Sequence, residues 1–154
     1  MLPRPDVKDI GTVYRRIPIL AIGRDIYNDT RLVISKLEEL FPQSPKLSTT
    51  SPDHKAIERL LEHWAVEEGL FKLAARLIPS DTPILQDPKW ADDRADYSGA
   101  RSTKESIAKG RPEALVEMAR AFEILETTML ADDRDWILKT GQPSLADIEG
   151  MWSL

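Results

Sequence analysis

A proline at the head of an apolar run, with a helix start shortly after it, restricts this chain more than any other feature. The two pieces are Arg16-Ile17-Pro18-Ile19-Leu20 and Asn28-Asp29-Thr30-Arg31-Leu32. Proline lacks a backbone N–H, so within a sheet it belongs at the start or the edge of a strand. The β-formers around it predict a strand over residues 14–22. Gly23-Arg24 fits a two-residue hairpin turn with glycine first, and residues 24–27 return as a short strand. Asn28, Asp29 and Thr30 are all good N-caps, which predicts a helix over 30–40. Leu32, Val33, Leu37 and Leu40 form its apolar stripe, Glu38 and Glu39 face water, and Phe41-Pro42 ends it. Ahead of all this, Pro3 and Pro5 predict an extended lead-in over residues 1–13.

The remainder reads as helical. Residues 43–51 are polar and carry the expected domain boundary, dividing the chain into 1–42 and 52–154. Ser51-Pro52 places an N-cap before a proline at the first helical position. The pattern Ile57, Leu60, Leu61, Trp64, Phe71, Ala74 and Ala75 continues as one long helix to about residue 78, with a bend at Gly69 and a stop at Pro79. Asp87-Pro88 opens a short helix to Tyr97, and residues 98–110 read as a polar, mobile stretch. Pro112 opens another helix, in which Leu115, Met118, Phe122, Leu125 and Met129 form a narrow seam. Residues 131–143 are turn-rich, and Ser144 starts a last helix. The expected fold class is therefore α+β, mostly helical: a β-hairpin plus helix followed by an all-α bundle.

Composition removes several functions. With no cysteine among 154 residues, disulfides, thiol catalysis and thioredoxin-type redox chemistry are excluded. A net charge of −5 argues against nucleic-acid binding, which needs a basic face. No apolar run approaches the ~18 residues of a membrane helix, and the first residues lack a signal-peptide core. The expectation is a cytoplasmic protein without nucleic-acid or membrane partners. His54 and His63 lie nine apart, which is not helical ligand spacing, so no metal site is expected.

Each candidate site has a structural and a functional reading. Ile17-Pro18 is an ordinary strand start if trans. If cis, it turns the Ile17 backbone outward, where a peptide can add as a strand. Asp29-Thr30 caps a helix, and the same N-terminus attracts a carboxylate through free N–H groups and the helix dipole. Trp64, Phe71, Trp90 and Tyr97 are core aromatics or the lining of an apolar pocket. Ser144-x-x-Asp147 has the spacing of a capping box, with Asp in place of the usual Glu or Gln, and reads as structural.

Taken in order, these pieces resemble a glutathione S-transferase of a fungal branch. Residues 2–6, Tyr14-Arg15-Arg16-Ile17-Pro18-Ile19-Leu20, Asp29-Thr30-Arg31-Leu32 and Leu37-Glu38-Glu39-Leu40-Phe41-Pro42 resemble the end of that family's thioredoxin-like N-terminal domain. Asp87-Pro88, Asp93-Arg94, Trp136-Ile137-Leu138 and Pro143-Ser144-Leu145-Ala146-Asp147-Ile148 resemble its helical C-terminal domain. The resemblance implies that residues 1–42 form a partial thioredoxin-like unit and 52–154 the helical domain. It implies a cis Pro18, an Ile17 backbone paired with the cysteinyl part of glutathione, and Asp29 and Thr30 at its γ-glutamyl end. It also implies glutathione as co-substrate or ligand, and a small hydrophobic electrophile as the second substrate.

Relatives carry a strand, a helix and a further strand before the Pro-bearing loop, together with the Tyr, Ser or Cys that activates the thiol. Here Met1 falls in that loop, so the chain is expected to be truncated relative to the family, and its catalytic residue is unknown. The alternative is a non-catalytic module of the same fold or a shortened gene product. The open edge of the strand after Pro18 would then be completed by a second copy or another partner.

Overall fold

The computed structural model describes residues 5–14, 16–67, 69–99 and 103–153, with the side chains of all these except Pro5 and Tyr97. The chain forms two compact units, Met1–Lys46 and Leu47–Leu154. The division falls inside the polar stretch 43–51. Residues 47–51 lie with the second unit, where the Leu47 carbonyl accepts from the Leu145 N–H at 2.9 Å.

The first unit begins with a short helix α1 (Pro5–Asp9), not an extended lead-in. Proline is well placed at a helix start, because its missing N–H would have had no partner there. Residues 1–4 of the expected lead-in lie outside the described residues. The strand is also shorter than expected. Arg15 of the expected strand lies outside the described residues, and among those described only β1 (Ile19–Ile22) pairs, antiparallel with β2 (Asp25–Asn28), in the register Ile19↔Asn28 to Ile22↔Asp25. Gly23 takes the positive φ of the two-residue turn, at 60°. The Ile17–Pro18 bond is cis.

α2 (Thr30–Leu40) starts and stops where the sequence predicts, with Asp29 at the N-cap and Phe41 at the C-cap. Its expected apolar stripe is not buried: Leu32, Leu37 and Leu40 are exposed and only Val33 is half-covered, while Glu38 is half-buried. Among the described residues of this unit no side chain is fully buried. Periodicity placed the stripe on one face, but a hairpin of two short strands is too small to cover it.

The second unit holds the core. α3 (Pro52–Val66) and α4 (Leu70–Arg76) replace the single long helix. Gly69 adopts φ 101°, so the chain breaks here and does not merely bend. A 3₁₀ turn (Pro83–Gln86) leads into α5 (Pro88–Ser98), capped by Asp87.

α6 (Lys104–Ile124) begins well before Pro112, which lies inside it. Thr103 and Ser106 cap it reciprocally, the Thr103 N–H donating to Ser106 Oγ (2.9 Å) and the Ser106 N–H to Thr103 Oγ1 (3.1 Å). Neighbouring arginines tie the region of Pro112 to α4: Arg76 donates to the Gly110 carbonyl and pairs with Glu113 (2.7 Å), and Arg111 donates to the Leu77 carbonyl. These contacts hold the helix through the position where proline removes a ladder donor. The part of 98–110 from Thr103 onward is thus the cap and first turns of α6. Its buried face is Ala114, Met118 and Ala121, continued by Leu125 just past its end, whereas Leu115 and Phe122 of the expected seam are 49% and 41% exposed.

α6 runs into a π turn (Leu125–Met129), closed by the Leu130 N–H on the Leu125 carbonyl at 2.9 Å. Thr127 and Thr128 donate their hydroxyls to the carbonyls of Glu123 and Ile124, four residues back. Such back-bonding competes with the regular ladder. α7 (Leu145–Met151) completes the unit and packs on α3. Leu61, Leu125, Ile137, Leu138 and Ala146 form one buried cluster, and Leu70, Met118 and Ala121 form another. Trp64 packs against both.

Candidate functional site

In the first unit, Ile17 and Pro18 are exposed at the entry to β1, Ile17 at 62%. At the same open end of the hairpin, just past β2, Asp29 holds φ 78°, a conformation that L side chains rarely adopt. Its carboxylate accepts from the Arg31 N–H at 2.9 Å, and from Arg31 Nε and Nη2 at 3.2 and 3.1 Å. The Arg31 guanidinium beside Asp29 holds its carboxyl below the usual carboxylate range. Thr30 is the first residue of α2 and is exposed. Sequence spacing missed the role of Arg31: it neutralises Asp29 and adds a cation at the helix start. The Asp-x-Arg spacing is the signal that was available.

In the second unit, an apolar groove of about 510 Å³ runs between α3 and the end of α6. Ile57, Leu60, Leu61 and Trp64 form the α3 wall. Ile124, Thr128 and Met129 form the other, with Arg134 and Ile137 beneath. The Thr128 hydroxyl and the Arg134 guanidinium both hold partners within the protein. Thr128 donates to the Ile124 carbonyl, while Arg134 donates to both oxygens of Asp132 and, at 2.9 Å, to the Ile137 carbonyl. Arg134 and Lys139 together hold the Asp132 carboxyl far below the usual carboxylate range.

Three of the four aromatics expected to share a pocket have described side chains. Trp64 lines the groove. Phe71 instead stacks on Trp152, with ring centroids 5.4 Å apart. Trp90 lies under the Arg94 guanidinium at 5.6 Å, and the side chain of Tyr97 lies outside the described residues. Helical spacing shows which face an aromatic shares, but not which helix that face meets.

Ser144 and Asp147 do more than cap α7. One oxygen of the buried Asp147 carboxylate accepts from both the N–H and the hydroxyl of Ser144, and the other accepts from the Ile137 N–H. A second buried carboxylate, Glu58, accepts the Thr49 N–H at 3.1 Å and ties residues 47–51 to α3. Among the described residues no group of three or more His, Cys, Asp or Glu is placed to hold a metal. Nor is any described helix long and apolar enough to cross a membrane.

The model of a family described as a domain of unknown function (DUF7962) matches residues 73–154, more than half of the chain. The chain belongs to this family. The DUF7962 match begins inside α4 and runs through α7, so it includes the α6 wall of the groove and the Asp147 hub. The α3 wall and the whole first unit lie outside it. No curated protein matches the chain.

Proposed function

We propose that this chain is a glutathione S-transferase-like protein of the fungal branch, and that its first unit, a partial thioredoxin-like element, docks reduced glutathione. The observation that carries this reading is the sequence of features along the hairpin. An exposed Ile17 precedes Pro18 at the entry to β1, and the return strand leads directly to an eleven-residue helix capped by Asp29. The backbone of Ile17 would pair with the cysteinyl part of the tripeptide. The start of α2 would take a ligand carboxylate through its N–H groups and the Thr30 hydroxyl, while the Asp29 carboxylate would take the ligand's ammonium. The helical C-terminal-like unit, a small hydrophobic electrophile as second substrate and a cytoplasmic location belong to the same proposal.

Conjugation needs a donor that stabilises the glutathione thiolate. No described residue near Ile17 is assigned that task, so we expect weak binding and slow conjugation. The second reading, a non-catalytic interaction module, draws support from the exposed apolar stripe of α2 and from β1, whose four residues are all apolar. A strand of that kind suits pairing on both edges, with a second copy or another partner adding a strand beside it.

Calorimetric titration with reduced glutathione separates these readings. Saturable binding that weakens in Asp29→Ala and Thr30→Ala supports docking at the start of α2. Turnover of a reactive aryl halide that collapses in Thr30→Ala would establish a working transferase, and binding without turnover would favour the module. No binding at millimolar glutathione would defeat the glutathione reading.

A further inference from the structure

We propose that the groove between α3 and the π turn is a binding site for a neutral, apolar small molecule, independent of any glutathione chemistry. Its volume of about 510 Å³ lies within the roughly 300–1,000 Å³ typical of small-molecule sites. Its two hydrophilic side chains hold partners within the protein: the Thr128 hydroxyl donates to the Ile124 carbonyl, and three of the five Arg134 N–H donors serve Asp132 and the Ile137 carbonyl. A charged ligand would lose its hydration against the seven other lining residues, none of which carries a charge. An apolar ligand loses nothing and gains contact with Trp64, Ile57 and Met129.

The wall opposite α3 is shaped by an irregularity. The π turn inserts an extra residue into the helix, and Thr128 and Met129 within it line the groove beside Ile124. Turns of this kind recur at functional sites. Met129 is unbranched and polarizable, which lets one wall adapt to the outline of a ligand. Leu60 forms the accessible rim, at 67% exposure, so its side chain contributes little to the folded core.

The neutral fluorophore N-phenyl-1-naphthylamine tests the proposal by titration of the full chain, with its sulfonated analogue 8-anilinonaphthalene-1-sulfonate as the charged comparison. We expect saturable binding of the neutral probe at one site per chain, with the sulfonate no tighter. Leu60→Glu places a carboxylate on the rim and should weaken the neutral probe by about tenfold or more. Leu115→Glu introduces the same charge on an exposed apolar residue of α6 outside the groove and should leave binding unchanged. Melting curves of both variants verify that the fold is retained. Equal binding by wild type and Leu60→Glu, equal loss in both variants, tighter binding of the sulfonate, or no saturable binding would each overturn the proposal. Because no glutathione is present, the result is separate from the fate of the docking site in the first unit.

Discussion

Asp147 holds Ser144 with a single carboxylate oxygen, which accepts the Ser144 N–H and its hydroxyl at 2.8 Å each. The other oxygen takes the Ile137 N–H at 2.7 Å, ten residues upstream. The carboxylate therefore serves both the helix start and the loop before it. Asp147→Ala leaves two buried N–H groups without their acceptor, at about 1–3 kcal/mol each. Ser144→Ala removes only the hydroxyl and should cost about 1 kcal/mol. Chemical denaturation of the two variants should show the aspartate change to be the more damaging. Equal losses would reduce Asp147 to a simple cap.

At Asp29 the backbone and the side chain pull in opposite directions. Its φ of 78° favours glycine, while its carboxylate caps α2. Asp29→Ala loses the cap, about 1 kcal/mol, and keeps the strained backbone. Asp29→Gly loses the cap but relieves the strain. Thermal melts should rank the glycine variant above the alanine variant. The reverse order would show that the conformation costs this chain nothing.

The same residue should give the first unit an acid-sensitive contribution. Arg31 lowers the Asp29 pKa below its ordinary 3.8. A depressed carboxylate stabilises the fold above its unfolded-state value, and that stabilisation is lost as pH falls through the folded-state value. The stability difference between wild type and Asp29→Asn should therefore be constant near neutrality and shrink as the pH falls below about 4. A difference that grows on acidification would contradict the Arg31 pairing.

Gly150 offers a test of packing. A Cβ there would stand 3.2 Å from Ile137 Cδ1, 3.7 Å from Leu125 Cδ2 and 3.9 Å from Leu61 Cδ2. Gly150→Ala gains up to about 1 kcal/mol of helix propensity but presses on Ile137 Cδ1, an overpacking that costs about 1–3 kcal/mol. A net loss is expected in the wild-type background. Ile137→Val removes the Cδ1 carbon, and the alanine should then become neutral or stabilising. Additive effects in the double mutant would exclude this contact as the cause.

Local punctuation explains which elements were legible in the sequence. Asp29, Asp87-Pro88 and Ser144 each mark a helix start, and α2, α5 and α7 begin where those residues predict. Thr103 marks α6 equally well, but its partner is Ser106 where Glu or Gln is usual, and Gly110 and Pro112 look like breakers. Only the contacts from Arg76 and Arg111 show why they do not break the helix. Of the candidate site, Asp29 and Trp64 stood in recognisable patterns. The groove did not, because it needs the π turn set by Thr127 and Thr128 and the loop held by Arg134, and those contacts were not legible from spacing alone. The coverage of α2 was illegible for a different reason: periodicity orients a stripe without supplying anything to cover it.

Trp64 touches the cluster around Leu61 and Leu125 and also the one around Leu70 and Met118. Its indole is thus a shared element, and neither cluster can open without disturbing the other. The helical unit should accordingly lose its slowest-exchanging amides in α3 and α6 at one common free energy. An apolar molecule seated against that indole would slow exchange in both clusters at once, including the one it never touches.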